Sequence, residues 1–110
     1  SVILATPARG RSKVVIGSED KYMYCYNKAD GKKIWEYRTD GRITGSAVIS
    51  GDNVLFGSRD GRVYILDLEK GERKWEFDTG RPVSSSPAIT ENKFFILAED
   101  GSLLAFGEKN

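Results

Sequence analysis

The chain has no histidine and a single cysteine, Cys25, among its 110 residues. The first absence removes the commonest general base and the commonest zinc ligand. The second excludes an intrachain disulfide and any cysteine-rich metal site. Charge of one sign is also missing. Seventeen basic side chains meet sixteen acidic ones, a net charge of +1, so no global field draws the chain to nucleic acid or anionic lipid. No apolar run approaches the roughly 18 residues of a membrane-spanning helix, and helical periodicity is absent throughout. A chain that opens at Ser1 rather than Met is expected to be processed or excised from something longer.

What the sequence does contain is a repeat. Residues 17–66 nearly recur at 57–106, forty positions later and without a gap. Gly17-Ser18-Glu19-Asp20 answers Gly57-Ser58-Arg59-Asp60, Gly31 answers Gly71, and Trp35-Glu36-Tyr37 answers Trp75-Glu76-Phe77. A third copy follows, with Ser86-Pro87-Ala88-Ile89 matching Ser46-Ala47-Val48-Ile49 and Asp100-Gly101 matching Asp60-Gly61. A period of this length marks a supersecondary unit that buries its apolar surface only by stacking on copies of itself.

Each copy carries the same run of signals. A first stretch, Ile43 to Ile49 or Val83 to Ile89, precedes an apolar run at Val14-Val15-Ile16, Val54-Leu55-Phe56 or Phe94 to Leu97. Turns at Asp20, Asp60 and Asp100 lead to third runs at Tyr22–Tyr26, Val63–Leu68 and Leu103–Phe106. Turns at Gly31 and Gly71 open the fourth, Lys32–Arg38 and Glu72–Asp78. Short β-branched and aromatic runs punctuated by Gly and Asp predict antiparallel strands. The second and third are apolar at consecutive positions, which predicts sheets covered on both faces. Charges interrupt the fourth, as suits a solvated outer edge.

The fold expected is therefore all-β: β-propeller blades, about 2.75 four-stranded antiparallel units with a period of forty. Residues 1–40 form a first blade, 41–80 a second, and 81–110 a third lacking its outer strand. The result is a partial propeller or one completed by oligomerisation.

Two further patterns identify the repeat type. One is Gly-x-x-x-Trp, at Gly31–Trp35 and Gly71–Trp75, preceded by Gly-Ser-x-Asp-x-x-x-Tyr at Gly17–Tyr24 and Gly57–Tyr64. The other is Thr-x-x-x-[Ile/Val]-x-x-Ser, at Thr39–Ser46 and Thr79–Ser86. Together they resemble the pyrroloquinoline-quinone-type propeller repeat, a superfamily of quinoprotein alcohol dehydrogenases and outer-membrane assembly lipoproteins of Gram-negative bacteria. The resemblance implies that Trp35 and Trp75 dock each blade against its neighbour. It also implies an often exported protein, periplasmic or at the cell surface. It does not decide activity, since members of the superfamily differ in chemistry on one fold.

Candidate chemistry is sparse. The quinone enzymes of the superfamily use a catalytic Asp with calcium, a stacking Trp and often a vicinal cysteine pair. Here Cys25 has no neighbouring partner, and Asp20, Asp60 and Asp100 recur at one turn position, where they are expected to satisfy backbone donors. Ser84-Ser85-Ser86 has no base within reach in sequence and suits a crowded propeller axis. Arg9, Arg11 and Lys13 form, with Lys28, Lys32 and Lys33, a corner expected to be solvated surface. No catalytic, cofactor-binding or metal-binding residue is assigned, and no nucleic-acid partner is expected.

The loops between second and third strands share one rim with those between fourth and first. That rim carries Arg42, Arg59, Arg62 and Arg81 beside Glu19, Asp40 and Glu99. Arginine-rich loops on a rigid scaffold suit protein recognition. The function expected is a non-catalytic scaffold with a protein partner, and the bare face at each end of the arc suggests a homodimer closing a six-bladed ring. Two alternatives stay open: a piece of a quinone-dependent dehydrogenase, and a sensor module of a signalling enzyme.

Overall fold

The computed structural model describes residues 8–10, 12–90 and 93–107. All its regular structure is strand, arranged in three antiparallel sheets. The first sheet orders β1 (Ala8–Gly10), β2 (Lys13–Gly17), β3 (Tyr22–Asn27) and β4 (Lys33–Arg38) sequentially. The second repeats it with β5 (Val48–Ser50), β6 (Asn53–Gly57), β7 (Arg62–Asp67) and β8 (Arg73–Asp78). The third contains β9 (Ala88–Ile89), β10 (Lys93–Leu97) and β11 (Leu103–Gly107). Register recurs with the repeat: Cys25 lies opposite Trp35 as Ile65 lies opposite Trp75, and a bulge follows at the next residue of both β3 and β7. These are propeller blades.

Each blade stacks face to face on the next. The first sheet contributes Val15, Met23, Cys25 and Trp35 to one core, where they meet Val54, Phe56, Tyr64 and Leu66 of the second. The opposite face of the second sheet offers Val63 and Trp75 to Ile96, Phe94 and Phe106 of the third. The middle sheet is thus covered on both sides, and Val54, Leu55, Phe56 and Gly57 of β6 are buried in succession. The third sheet is covered on one side, so exposure alternates along β11. Leu97 and Leu103, opposite each other on its bare face, are 48% and 65% exposed. The bare face of the first sheet carries Val14, Ile16, Tyr24 and Tyr26, paired Val14 to Tyr26 and Ile16 to Tyr24. The fourth strands β4 and β8 expose their charged residues to solvent.

The first strand of each blade is shorter than its apolar stretch suggests. It begins at Val48 and Ala88 rather than at Ile43 and Val83. Ile43 and Val83 are nonetheless fully buried. They plug the core from the connecting loop, where a Cβ on Gly17 would meet Ile43 at 2.4 Å and one on Gly57 would meet Val83 at 2.2 Å. The third copy places Leu97 at that position. Burial, not strand pairing, explains why these loop residues are apolar.

Trp35 is the clearest seam residue. It is 8% exposed, donates its Nε1–H to the carbonyl of Leu68 at 2.8 Å, and covers Gly71 so closely that a Cβ there would meet the ring at 2.4 Å. Gly31 is a natural control: it has φ +73° against +72° for Gly71, but nothing within 4 Å of its missing Cβ. Alanine at either site bears the left-handed strain of about 1–2 kcal/mol. Gly71→Ala must also displace the ring, adding an overpacking cost of about 1–3 kcal/mol. Urea denaturation should rank Gly71→Ala well below Gly31→Ala in stability. Equal losses would remove Trp35 as the anchor of the seam.

Candidate functional site

One end of the strands gathers the loops into a rim. The turn 58–61 and the connector 39–47 interlock by Arg59 N–H to Arg42 C=O at 2.9 Å and Ser58 Oγ to Gly41 C=O at 3.1 Å. The next pair is joined by Val83 N–H to Ser58 C=O at 3.2 Å and Glu99 N–H to Pro82 C=O at 3.1 Å. Such backbone bonds between segments hold the rim rigid relative to the sheets.

The rim turns are clamped by their aspartates. Asp60 accepts from Arg62 N–H at 2.8 Å, from Asp40 N–H at 3.1 Å and from the Tyr64 hydroxyl at 2.5 Å. Asp20 accepts from Tyr22 N–H at 3.0 Å and from the Tyr24 hydroxyl. Asp100 accepts from Ser102 N–H at 2.9 Å. That bond, with Arg81 nearby, holds its carboxyl below the usual carboxylate range. The hydrogen bond to Asp20 is the main cause of a Tyr24 phenol pushed up to about 12. Burial does most of the same at Tyr64.

All four rim arginines face carboxylates. Arg42 reaches Glu19 at 3.9 Å, and Arg62 lies 3.5 Å from Asp40 and 3.6 Å from Glu76. Arg81 Nε meets Asp100 at 2.5 Å, joining the second connector to the third sheet. Arg59 pairs with Glu99 across the same seam and donates to Ser84 Oγ at 3.0 Å. A shallow depression of about 150 Å³ lies between Arg59 and Arg81, floored by Asp60, Gly61, Gly80 and Pro82. The side chain of Arg42 is the most open, at 64% exposure. Their partners lie up to forty residues away, as Arg59 to Glu99 does, so local sequence signals could not reveal these pairs.

The structure places a carboxylate, Glu99, beside Ser84, where the sequence pattern offered no base within reach. The Ser84 hydroxyl is engaged by Arg59 and Glu99, and the Ser85 hydroxyl donates to Leu97 C=O at 2.9 Å. Cys25 is fully buried, and burial pushes its thiol up to about 11. Trp35 and Trp75 lie between sheets, away from the rim: Trp75 stands edge-on to Phe94 and Phe106 at 6.1 and 5.4 Å. Among the described residues no group of three or more His, Cys, Asp or Glu is placed to hold a metal ion, and no helix is long and apolar enough to cross a membrane. Lys13 pairs with Glu69 of the second sheet at 3.1 Å. Arg11 and the side chain of Arg9 lie outside the described residues.

Radially stacked antiparallel sheets with a period of forty define the class: a β-propeller built from quinoprotein-like repeats. The chain belongs to the family described as outer membrane protein assembly factor BamB, whose match spans residues 2–110. Among solved structures it resembles BamB from Moraxella catarrhalis with a TM-score of 0.84 and 24% identity, over 96% of this chain and 34% of that one. It also resembles the quinohemoprotein alcohol dehydrogenase ADHIIG from Pseudomonas putida HK5 (TM-score 0.84, 20% identity, 94% of this chain and 18% of that one). The quinohemoprotein alcohol dehydrogenase from Comamonas testosteroni gives a TM-score of 0.77 at 20% identity, over 86% of this chain and 17% of that one. The chain thus spans about a third of the BamB structure and under a fifth of each dehydrogenase. A search of curated proteins finds no match.

Two measurements test this geometry. Trp75→Ala should lower the melting temperature more than Arg81→Ala, since an exposed ion pair contributes about 1 kcal/mol or less and a packed ring about 3–5 kcal/mol; equal shifts would count against a seam role for Trp75. The second concerns pH. The thiol of Cys25 and the phenols of Tyr24 and Tyr64 lose protons later in the folded state than in the unfolded chain, where the ordinary values are about 8.5 and 10. Unfolded protein therefore releases protons first as pH rises, and stability falls with pH. The urea midpoint should hold steady between pH about 6 and about 8 and decline as pH climbs toward the raised values. A midpoint unchanged through that range would contradict the raised acidities.

Proposed function

We propose that the chain is a non-catalytic propeller module that recognises a protein partner through its rim, with Arg42, Arg59, Arg62 and Arg81 as contact residues. The observation that carries this reading is their arrangement. Four guanidinium groups share one rim, each held by a carboxylate and each still partly open to solvent. Side chains ordered before contact lose less entropy on binding, and arginine is enriched where proteins meet. The buried, protonated Cys25 supports the non-catalytic part. The family description, which names outer membrane protein assembly, supports a protein partner and a periplasmic or cell-surface setting.

The two bare end faces support a finer statement, that two copies associate head to tail into a six-sheet ring. Exposed apolar surface of this kind drives association. A second reading, a fragment of a quinone-dependent dehydrogenase, draws on the likeness to the two quinohemoprotein enzymes.

Three experiments separate these. A variant carrying Arg42→Gln, Arg59→Gln and Arg81→Gln should stay folded, with a melting temperature lowered only by the loss of three exposed ion pairs of about 1 kcal/mol or less each, but lose the protein partner that the wild type retains; unchanged partner binding would overturn the rim assignment. Titration with quinone and calcium should leave the absorbance spectrum the sum of its components, whereas a saturable change would favour the enzyme fragment. Light scattering should report twice the chain mass, and a stable monomer at micromolar concentration would exclude the ring.

A further inference from the structure

Among the described residues, Lys21 is the one non-glycine with a positive φ, at 81°. It closes the turn 18–21, and its copies in the next two blades are Gly61 at 92° and Gly101 at 90°. The turns are otherwise alike. Lys21 N–H donates to Ser18 C=O at 3.2 Å, and its own carbonyl accepts the Thr39 N–H at 2.8 Å and the Thr39 hydroxyl at 2.9 Å. Gly61 makes the same bonds to Ser58 at 3.1 Å and to Thr79 at 2.7 and 2.8 Å. The turn therefore asks for glycine. Its tertiary bonds hold lysine in a left-handed conformation that costs about fivefold to thirtyfold in the folding equilibrium.

No contact among the described residues offsets that cost. The Lys21 side chain is exposed and holds no hydrogen bond or ion pair there. The four rim arginines each face a carboxylate, and the acids around Lys21 are already taken. Glu19 pairs with Arg42, Asp40 with Arg62, and Asp20 accepts from the Tyr24 hydroxyl and the Tyr22 N–H. The next seam shows how the cation came to stand on this turn. There, a Cβ on Gly61 would lie 3.4 Å from the backbone of Arg81, and Arg81 meets Asp100 at 2.5 Å. One repeat earlier the pair is exchanged, with Lys21 on the turn and Gly41 on the connector. A Cβ on Gly41 would meet the amide nitrogen of Asp60 at 2.3 Å, so the connector has no room for a side chain.

We propose that Lys21 is a contact residue of the rim whose ammonium receives a carboxylate side chain of the partner protein. The inference rests on the rim being the recognition surface, and it adds the chemistry of the group received there. An ammonium offers three donors and no acceptor, and its bond to a carboxylate is charge-assisted. Arg42 supplies a second cation to the same turn, because its bond to Glu19 is long, at 3.9 Å, and its side chain is the most open of the four. A strained residue with no internal partner is what a position kept for contact rather than for stability looks like.

The test titrates the full 110-residue chain, labelled with nitrogen-15, with a capped tetraglutamate peptide at low ionic strength; a capped tetraglutamine peptide is the control. Amides of residues 19–21 and 40–42 should shift saturably with tetraglutamate and stay in place with tetraglutamine. Lys21→Gln keeps the strained backbone and removes the charge, whereas Lys21→Gly removes both. Each variant should bind tetraglutamate about threefold to fivefold more weakly, the scale of an exposed ion pair. Lys21→Gly should also raise the urea midpoint above wild type, and Lys21→Gln should leave it in place. The inference is overturned if neither variant changes tetraglutamate binding, if tetraglutamine binds as well, or if Lys21→Gly is no more stable than wild type. Shifts confined to the turns at Arg59 and Arg81 would overturn it and leave the rim reading intact; shifts only at the opposite end of the strands would overturn both.

Discussion

A sheet that is apolar on both faces has no stable existence alone, and that constraint organises everything else in this chain. The second sheet meets it fully: its β6 is buried over four consecutive residues because a neighbour covers each side. The hydrophobic gain from enclosing Phe56, Leu66, Val63 and Val54, about 1.5–3 kcal/mol for each large side chain, is available only in the stack. Loop geometry follows from the same need. Ile43 and Val83 drop into gaps above Gly17 and Gly57, which draws the connectors inward and brings their arginines to one rim.

Much of this was written in the sequence because the determinants are local and repeated. Gly31 and Gly71 adopt the positive φ that their turns require. Asp20, Asp60 and Asp100 each accept the N–H two residues on. Both are short-range geometry, and residue type reports it. The start of the first strands was not legible, since an apolar loop plug and an apolar strand have the same composition. The two tryptophans sit in nearly identical local sequence, yet Trp35 is enclosed and Trp75 is not. That difference belongs to what lies beside them in space.

The rim was legible as a list of arginines but not as an arrangement. Its pairs join turns from different blades, and a propeller sets those blades side by side at a separation of one repeat. The chemistry left on the rim is charge, hydrogen bonding and shape. That equipment supports the recognition role proposed for the rim, in a family described by assembly of outer membrane proteins.

Leu97 stands where two earlier blades have glycine, and it looks outward from the third sheet beside Leu103. Gly17 and Gly57 lie directly against Ile43 and Val83, and a leucine at the matching position puts a side chain where those joints have only hydrogen. Any neighbour on that side must fit by another shape, so the boundary there differs from the two inside the chain.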